Sequence, residues 1–337
     1  MRQRRNGSRS ENRRPRVVVL VRAHFVSDKL LDLLRMLREG VGYDLRVCAD
    51  ETEGPLDLPS EIVLGHSAQM CSDLGLVGTV PDDRLLWYFG DYAFYCAFHD
   101  MPDYDYYVMI EYDVEFVRGN VYALESLIRR LSIPGNPPYD LVATHYAPGP
   151  PFWGWCETCR GRFKKCYGIF FPLVVLSKRA LRYLFDWRRH EAANPPKSGR
   201  YVFCEAFIPS ALMAAGGYRC ADLESLLPGS WDGESFRATH PMLLGALPPL
   251  PRAVEVVHPV YSEREFLASE LSLARQNNSV AELVARVSDP NLLPLSQELR
   301  DAFLSELAES NGSRPVRRAR KQRRAKAPSG EGVRRKK

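Results

Sequence analysis

The pattern of apolar and polar positions predicts an α/β opening to the chain. Arg16–Val21 is a run of mainly β-branched residues, which is typical of a buried parallel strand. Ser27 is predicted to cap a helix over Asp28–Glu39 that ends at Gly40, and a second strand is predicted over Tyr43–Ala49. Strand, helix and strand at this spacing favour a mostly parallel sheet with covered faces.

Later segments continue this pattern toward the end of the chain. Further strands are predicted at Tyr106–Ile110, Leu141–Thr144, Phe170–Leu176 and Val254–Val257. Further helices are predicted at Leu85–Phe98, Ser177–Trp187, Val202–Ala215, 262–275, Val280–Val287 and Gln297–Glu309. We therefore expect one α/β domain over residues 16–261 and a helical extension over 262–310, between disordered basic tails at 1–15 and 311–337.

Charge separates the two ends of the chain from its middle. Of the total of +5 over 337 residues, residues 1–16 carry +6 and residues 313–337 carry +11, so that residues 17–312 carry about −12. An acidic folded region repels polyanions, which argues against nucleic acid as a partner. The basic tails are instead suited to an anionic membrane surface, with solvated chain ends as the alternative.

The eight cysteines and the start of the chain bear on its compartment. The apolar run Val17–Val21 is too short for the core of a secretory signal, and far short of the roughly 20 residues of a membrane helix. We therefore expect reduced thiols and a cytoplasmic protein. Attraction of the tails to anionic lipid would place it peripherally at the inner face of the membrane.

Two carboxylates, Glu111 and Asp113, directly follow the strand predicted at Tyr106–Ile110. The carboxyl edge of a parallel sheet is where open α/β folds bind ligands. With one residue between them, both side chains can turn to the same side, where they repel each other unless a cation lies between them. Mg²⁺ or Mn²⁺ would satisfy both and keep positions for diphosphate oxygens. A polar strand end without a metal is the alternative.

Three segments around these carboxylates resemble a family of GT-A glycosyltransferase-like proteins of bacteria and fungi, in which an E-Y-D-V segment replaces the usual D-x-D motif. The segments are Gly90-Asp91-Tyr92, Pro102-Asp103-Tyr104-Asp105-Tyr106 and Ile110-Glu111-Tyr112-Asp113-Val114. The similarity runs from about Arg16 to Tyr261. It implies a GT-A-like, Rossmann-type mixed sheet, mostly parallel and flanked by helices, with the C-terminal helices as an appendage.

The resemblance also implies a metal site. Asp113 corresponds to a metal-binding position, Glu111 corresponds to a second one, and His258 is similar to the histidine that many GT-A enzymes supply as a late metal or diphosphate ligand. Glu111 occupies the position of the first aspartate in the usual D-x-D motif. Direct ligation by Glu111 and coordination through Asp113 and His258 with water are therefore both open, with Mn²⁺ or Mg²⁺ as the cofactor.

Contacts to a nucleotide-sugar donor follow from the same resemblance. Val17–Phe25 is similar to the first strand and loop that cradle the base and ribose, and Asp50 corresponds to a further base or ribose contact. Asp91 and Tyr92 would lie on a helix that faces the donor. Arg22 stands at a strand end where an arginine can bind phosphate oxygens with two hydrogen bonds, although a solvated strand end is equally open.

A general base for the acceptor hydroxyl is expected at Glu205. In the family, a glutamate followed by hydrophobic residues and proline recurs, and burial among aromatic side chains would raise the pKa of such a carboxyl. The alternative is an ion pair of Glu205 with Arg200 or Arg219 that holds a loop. Asp232 is a reserve candidate, and an enzyme that retains configuration requires no such base.

The segment 152–166 offers two further candidate sites. Its aromatic side chains could stack on an acceptor sugar or fill the core, and they are Phe152, Trp153 and Trp155. Its cysteines suggest zinc, and they are Cys156, Cys159 and Cys166. A fourth ligand at a familiar spacing is missing, which favours reduced thiols.

Metal-assisted transfer of a sugar from a UDP- or GDP-sugar to a hydroxyl of a saccharide or lipid-linked acceptor is therefore the leading hypothesis. A non-enzymatic module that binds nucleic acid or anionic surfaces through its basic tails is a second. Nucleotidyl transfer is a third, but the segment Arg22–Asp28 lacks the glycine-rich phosphate loop that would favour it.

Overall fold

The computed structural model describes residues 14–76, 85–131, 137–149, 154–196, 201–238 and 240–312. By its internal contacts the chain divides into two compact units, Met1–Leu273 and Ala274–Lys337. This division lies beyond the predicted one after Tyr261, within a helix. Most of the predicted tails, residues 1–13 and 313–337, lies outside the described residues.

The strands are short at the periphery and longer in the central sheet. In chain order they are β1 (Val17–Ala23), β2 (Asp44–Asp50), β3 (Val63–His66), β4 (Tyr106–Glu111), β5 (Glu115–Phe116), β6 (Leu141–Pro148), β7 (Tyr167–Ser177), β8 (Cys220–Asp222), β9 (Met242–Leu243), β10 (Val256–Val257) and β11 (Val260–Tyr261). A seven-stranded sheet has the order β3-β2-β1-β4-β7-β6-β8. Only β7 runs antiparallel to its neighbours, β4 and β6, so the sheet is mixed and mostly parallel as predicted.

Helices flank this sheet and form the C-terminal appendage. They are α1 (Asp28–Gly40), α2 (Ala68–Asp73), α3 (Leu85–Tyr88), α4 (Asp91–Asp100), α5 (Tyr122–Leu131), α6 (Gly154–Thr158), α7 (Lys178–Ala193), α8 (Cys204–Ala215), α9 (Glu263–Gln276), α10 (Val280–Ser288) and α11 (Gln297–Gly312). None of the helices in the described part of the chain combines the length and apolarity needed to cross a bilayer. The predicted α/β fold class with helical flanks is confirmed.

The core consists of two apolar layers, one on each face of the sheet. Successive residues of β1 alternate between them, because side chains of a strand point to opposite faces. Val18 and Leu20 pack in the layer covered by α4, α7 and α8, while Val17, Val19 and Val21 pack in the layer covered by α1 and α5. A strand that is buried on both faces explains the continuous apolar run that identified it.

Side-chain caps open the helices where the sequence predicts them. Ser27 accepts a hydrogen bond from the backbone N–H of Leu30 at 3.2 Å and opens α1. Ser177 opens α7 in the same way. Before α9, the backbone N–H of Ser262 donates to Glu265 at 2.9 Å, which is one half of the predicted capping box.

The single helix predicted over Leu85–Phe98 is interrupted at Phe89 and Gly90, between the end of α3 at Tyr88 and the start of α4 at Asp91. A Cβ atom at Gly90 would lie 2.2 Å from a guanidinium nitrogen of Arg22. Glycine at this position therefore lets the backbone approach the end of β1, where Arg22 lies.

Candidate functional site

Polar side chains stand at or next to the carboxyl ends of four neighbouring parallel strands. They are Arg22 of β1, Asp50 of β2, His66 of β3 and Glu111 of β4, and the strand register sets Arg22 beside Glu111 and Asp50 beside His66. Together they line a cavity of about 670 Å³, here called the strand-end cavity. A cavity of this size holds a small ligand such as a nucleotide. Its other lining residues are Ala23, His24, Thr52, Glu53, Leu86, Trp87, Tyr112, Asp113 and Tyr261.

The acidic end of β4 meets a histidine from a distant part of the chain. Glu111, Asp113 and His258 each place one ligand atom within 4.8 Å of the other two. His258 directly follows β10, which pairs with β5 close to Asp113. The backbone N–H of Val260 then donates to the carbonyl oxygen of Asp113 at 2.8 Å. These two backbone contacts hold His258 against Asp113.

Within this cluster, a ring nitrogen of His258 lies next to a carboxylate oxygen of Asp113. His258 Nδ1 lies 2.8 Å from the carbonyl oxygen of Arg237, so Nδ1–H donates there and Nε2 presents a lone pair. That Nε2 lies 3.3 Å from Asp113 Oδ1, a buried oxygen without a hydrogen-bond partner. Such a pair requires a proton or a cation between its members. Burial opposes the proton, but attraction to Asp113 and Glu111 outweighs it and raises the pKa of His258.

The same donor set fits a divalent cation. Carboxylate oxygens with one imidazole nitrogen suit Mn²⁺, and the carboxylates suit Mg²⁺. The hydrogen bond from His258 to the Arg237 carbonyl fixes the ring orientation, as it does for most metal-ligating histidines. Metal ligation by Asp113, His258 and Glu111 stays a prediction, and the unpartnered Asp113 Oδ1 is the observation that favours it.

Glu111 is shared between this cluster and Arg22. Its Oε1 lies 3.2 Å from a guanidinium nitrogen of Arg22, and both side chains are about one-fifth exposed. Burial opposes the charge on Arg22, yet Glu111 and the other nearby acidic groups hold the pKa of Arg22 above its usual value. The guanidinium also lies 5.5 Å from the centre of the Phe171 ring. Arg22 is therefore a fixed positive charge in the wall of the strand-end cavity.

Asp91 and Tyr92 do not face the donor as expected, and the structure corrects this prediction. Both are at most 1% exposed, on a helix that is buried on all sides. Asp91 accepts hydrogen bonds from Arg188 at 2.8 and 3.3 Å and from Tyr95 at 2.9 Å. The guanidinium of Arg188 also donates hydrogen bonds to Glu191 and to the carbonyl oxygen of Val202. The aspartate neutralises a buried arginine, so its role is structural.

Asp50 and His66 form the far wall of the strand-end cavity. Asp50 accepts a hydrogen bond from the backbone N–H of Thr52 at 3.0 Å, which orients its carboxylate. His66 is 2% exposed, and its Nδ1 has no hydrogen-bond partner. Burial lowers the pKa of His66, so its imidazole is neutral. Sequence reasoning missed His66, although the short apolar run Val63–Leu64 before it was an available signal.

Comparison with known proteins gives no family for the chain. No protein-family model matches the sequence, and no curated protein is detectably similar to it. Among solved structures, the chain is similar to a glycosyltransferase involved in the glycosylation of the major capsid of PBCV-1, with 15% identity and a TM-score of 0.35 over 74% of this chain and 96% of that one. It is also similar to an active-site mutant of LgtC, with 13% identity and a TM-score of 0.34 over 60% and 72% of the two chains. At such scores no residue can be transferred from either structure.

Glu205 lies in a second cavity of about 530 Å³, here called the aromatic cavity. Its lining residues are His145, Ala147, Pro148, Gly149, Trp155, Gly168, Ile169, Phe170, Glu205, Gly233, Phe236, Arg237 and Ala238. Glu205 is 9% exposed, and its Oε1 accepts a hydrogen bond from the Phe171 N–H at 3.0 Å. Burial, with repulsion from Glu111, raises the pKa of Glu205 to about 7. Such a carboxyl can take up and release a proton near neutral pH.

His258 links the linings of the two cavities. Its ring centre is 5.2 Å from that of Phe170 and 5.4 Å from that of Phe236, and both aromatic residues line the aromatic cavity. The carboxylates Glu111 and Asp113 of the same cluster line the strand-end cavity. The cluster is therefore in contact with residues that line each of the two cavities.

The contacts of Arg219 and Asp232 bear on the alternatives to Glu205 as the general base. Arg219 does not pair with Glu205, because its guanidinium donates to Tyr139 at 2.8 Å instead. Arg200 lies outside the described residues. Asp232 accepts two backbone N–H groups, from Glu234 at 3.0 Å and from Ser235 at 2.7 Å. Those bonds lower the pKa of Asp232, which makes it a weak base.

Several lining residues of the aromatic cavity could not be identified from the sequence. His145 places its Nε2 3.1 Å from the Phe236 carbonyl, and Arg237 supplies the carbonyl that orients His258. Trp155 lines the cavity and packs on Phe203 at 5.0 Å between ring centres. The other two aromatic candidates, Phe152 and Trp153, lie outside the described residues.

Proposed function

We propose that the chain is a glycosyltransferase that moves a sugar from a UDP- or GDP-sugar to a hydroxyl acceptor. The observation that carries this proposal is the Glu111–Asp113–His258 cluster in contact with the linings of two cavities, one with a fixed arginine and the other with a carboxyl whose pKa is about 7. A nucleotide diphosphate and an acceptor hydroxyl are the two ligands that such an arrangement suits.

The donor is assigned to the strand-end cavity. Arg22 binds phosphate oxygens there, with its guanidinium held in place by Glu111. Asp50 and the neutral His66 meet the nucleoside at the far wall, where a carboxylate and an imidazole offer hydrogen bonds to ribose or base. Asp91 and Tyr92 have no part in this site, because both are buried in the core.

Mn²⁺ or Mg²⁺ held by Asp113 and His258, with or without Glu111, would neutralise the charge that develops on the leaving diphosphate. Asp113 Oδ1 and His258 Nε2 lie 3.3 Å apart, so the cation would replace the proton that attraction between them otherwise favours. Arg22 adds a second positive charge beside the same carboxylate group.

The acceptor is assigned to the aromatic cavity. Trp155, Phe170 and Phe236 give it walls suited to the apolar face of a sugar ring, of a saccharide or of a lipid-linked acceptor. Glu205 takes the proton of the attacking hydroxyl on Oε2, since Oε1 already accepts the Phe171 N–H. A base in this position belongs to an inverting transfer.

Thermal protection by a panel of nucleotide sugars tests this function. A ligand that binds the native state raises the melting temperature, by an amount that grows with the logarithm of its concentration relative to Kd. We expect a UDP- or GDP-sugar to protect the protein with Mn²⁺ and not with EDTA, and to release its nucleotide when an acceptor is added. Asp113→Asn, which keeps the side-chain shape, serves as the control. Protection that is equal with EDTA, or in the control variant, would refute the proposed site.

A further inference from the structure

Three cysteines that the proposed transfer does not use meet beside the aromatic cavity. Cys156 lies in α6, Cys159 in the turn after it, and Cys166 directly before β7. The Sγ atoms of Cys156 and Cys166 are 2.8 Å apart. Cys159 also approaches the Cys166 thiol, and its own Sγ is 3.8 Å from Ser210 Oγ.

The spacing of the close pair distinguishes a disulfide from a metal site. Two thiolates bound to one tetrahedral zinc at about 2.3 Å are separated by roughly 3.8 Å, so this pair would have to move apart by about 1 Å for both to be ligands. Sulfur atoms at 2.8 Å need to move by less than about 1 Å to reach the bonded separation of a disulfide. The geometry therefore favours a covalent bond between Cys156 and Cys166.

Accessibility sets this pair apart from the other close thiols. Cys71 and Cys96 are 3.9 Å apart, but both lie in the core at 0% and 5% exposure. Cys166 is half-buried, whereas Cys156 is 8% exposed. A dissolved oxidant can therefore reach Cys166 first, with Cys156 in contact with it as the second thiol.

We propose that Cys156 and Cys166 are a reversible disulfide pair that a small-molecule disulfide, such as glutathione disulfide, oxidises. The Cys166 thiolate attacks one sulfur of the oxidant and releases one glutathione. The Cys156 thiolate then attacks Cys166 Sγ and releases the second. The two thiols lose two protons and two electrons, which reduce one glutathione disulfide to two molecules of glutathione.

The surroundings of the pair determine its rate and its consequence. Burial raises the pKa of Cys166 to about 11 and that of Cys156 to about 12, so both are protonated at neutral pH and react slowly. The bond would join α6, which carries Trp155 in the wall of the aromatic cavity, to the start of β7. Oxidation would therefore fix that wall covalently.

Peptide mapping of the full chain tests the pair without any activity assay. Reduced protein is incubated with glutathione disulfide at mildly alkaline pH, alkylated under denaturing conditions and digested with trypsin. Arg160, Arg162, Lys164 and Lys165 provide cleavage sites that separate the Cys166 peptide from the one with Cys156. We expect two of the eight thiols to escape alkylation, one cross-linked peptide pair, and its loss on reduction.

Two variants make the result specific. Cys159→Ser removes the other thiol of the Cys156 peptide, and the cross-link should persist in it. Cys220→Ser removes a half-buried cysteine outside the cluster, and it should leave the cross-link unchanged. A glutathione adduct that stays on Cys166, a cross-link that disappears in Cys159→Ser, alkylation of all eight thiols, or bound zinc that the three thiols release on alkylation would each overturn the proposal.

Discussion

Two buried aspartates, Asp91 and Asp113, differ in the hydrogen bonds that their carboxylate oxygens accept. Asp91 is 0% exposed, and Arg188 and Tyr95 donate to its carboxylate oxygens. Asp113 is 6% exposed, and its Oδ1 faces only His258 Nε2, which lies 3.3 Å away with room between the two atoms for either a proton or a cation. Buried polar atoms without a partner are rare and costly. Burial therefore does not by itself indicate a site, whereas an unpartnered oxygen with Glu111 and His258 ligand atoms within 4.8 Å does.

The two arginines near these aspartates, Arg188 and Arg22, also differ in whether all their contacts lie within the core. Arg188 is enclosed by Asp91, Glu191 and the Val202 carbonyl, with its guanidinium 3.6 Å from the centre of the Phe207 ring. Arg22 pairs with Glu111 but also lines the strand-end cavity. The guanidinium of Arg188 is therefore hydrogen-bonded within the core, whereas that of Arg22 can still bind a ligand in the cavity.

Glu205 is a further buried carboxyl, and its replacement should have the largest effect on activity. Glu205→Gln keeps an oxygen for the Phe171 N–H but cannot accept the acceptor proton. We expect transfer to fall by about 10²–10⁴-fold, with donor affinity unchanged. The measurement is kcat together with donor Kd. Asp232→Asn is the matched control and should change kcat little, because Asp232 is engaged by backbone N–H groups. A larger loss of kcat in Asp232→Asn than in Glu205→Gln would indicate that Asp232 is the base.

Replacement of the two aspartates should separate stability from function. Asp91→Asn leaves Arg188 buried beside an uncharged partner, and we expect it to lower the free energy of unfolding by about 3–5 kcal/mol. In Asp113→Asn the amide nitrogen can donate to His258 Nε2, which lies 3.3 Å from Oδ1, so we expect a smaller change of about 1 kcal/mol or less. Denaturant unfolding at pH 8 measures both values. A greater loss of stability in Asp113→Asn than in Asp91→Asn would reverse the contrast.

The raised pKa of Glu205 predicts how transfer depends on pH. A base acts in its deprotonated form, so the rate should rise about tenfold per pH unit below pH 7 and level off above it. The measurement is kcat at saturating donor and Mn²⁺, which separates this titration from protonation of His258. A rate that is flat from pH 5 to 8, about two units below and one above the pKa, would exclude Glu205 as the base.

The smallest expected effect concerns the position of Arg22. In Gly90→Ala the new methyl group would lie 2.2 Å from the guanidinium and force it to move. We expect donor affinity to weaken by several-fold, on the order of 1 kcal/mol, with a loss of stability of similar size because the methyl group also lies 3.1 Å from the Phe171 ring. Gly42→Ala adds a methyl group to open space and is the control. Unchanged donor affinity in Gly90→Ala would show that Arg22 does not contact the donor.

Strand ends could be predicted from the sequence because buried parallel strands have a continuous apolar signature. Glu111 and Asp113 were found in this way, and the approach of His258 to them came from the resemblance. The orientation of α4 could not be predicted. Its six residues after Tyr92 are apolar or aromatic, so no polar face marks a solvent side, and the partner of Asp91 lies 97 residues away.

His66 was missed for a related reason. The strand β3 has only four residues, which is too short for an alternating or continuous apolar pattern to stand out. The aromatic cavity combines residues from β6, β7, α8 and the loop before β9, and no local pattern joins segments so far apart in the chain. Short-range patterns identify elements, whereas the site depends on how those elements pack.

We propose that the buried carboxylate of Asp113 binds the metal on which donor binding depends. Calorimetric titration of UDP and GDP, with Mn²⁺ and with EDTA, into the wild type, Asp113→Asn and Asp91→Asn tests it most directly. We predict metal-dependent binding of one nucleotide to the wild type and to folded Asp91→Asn, and none to Asp113→Asn. Equal metal-dependent affinity in Asp113→Asn and the wild type would contradict the claim.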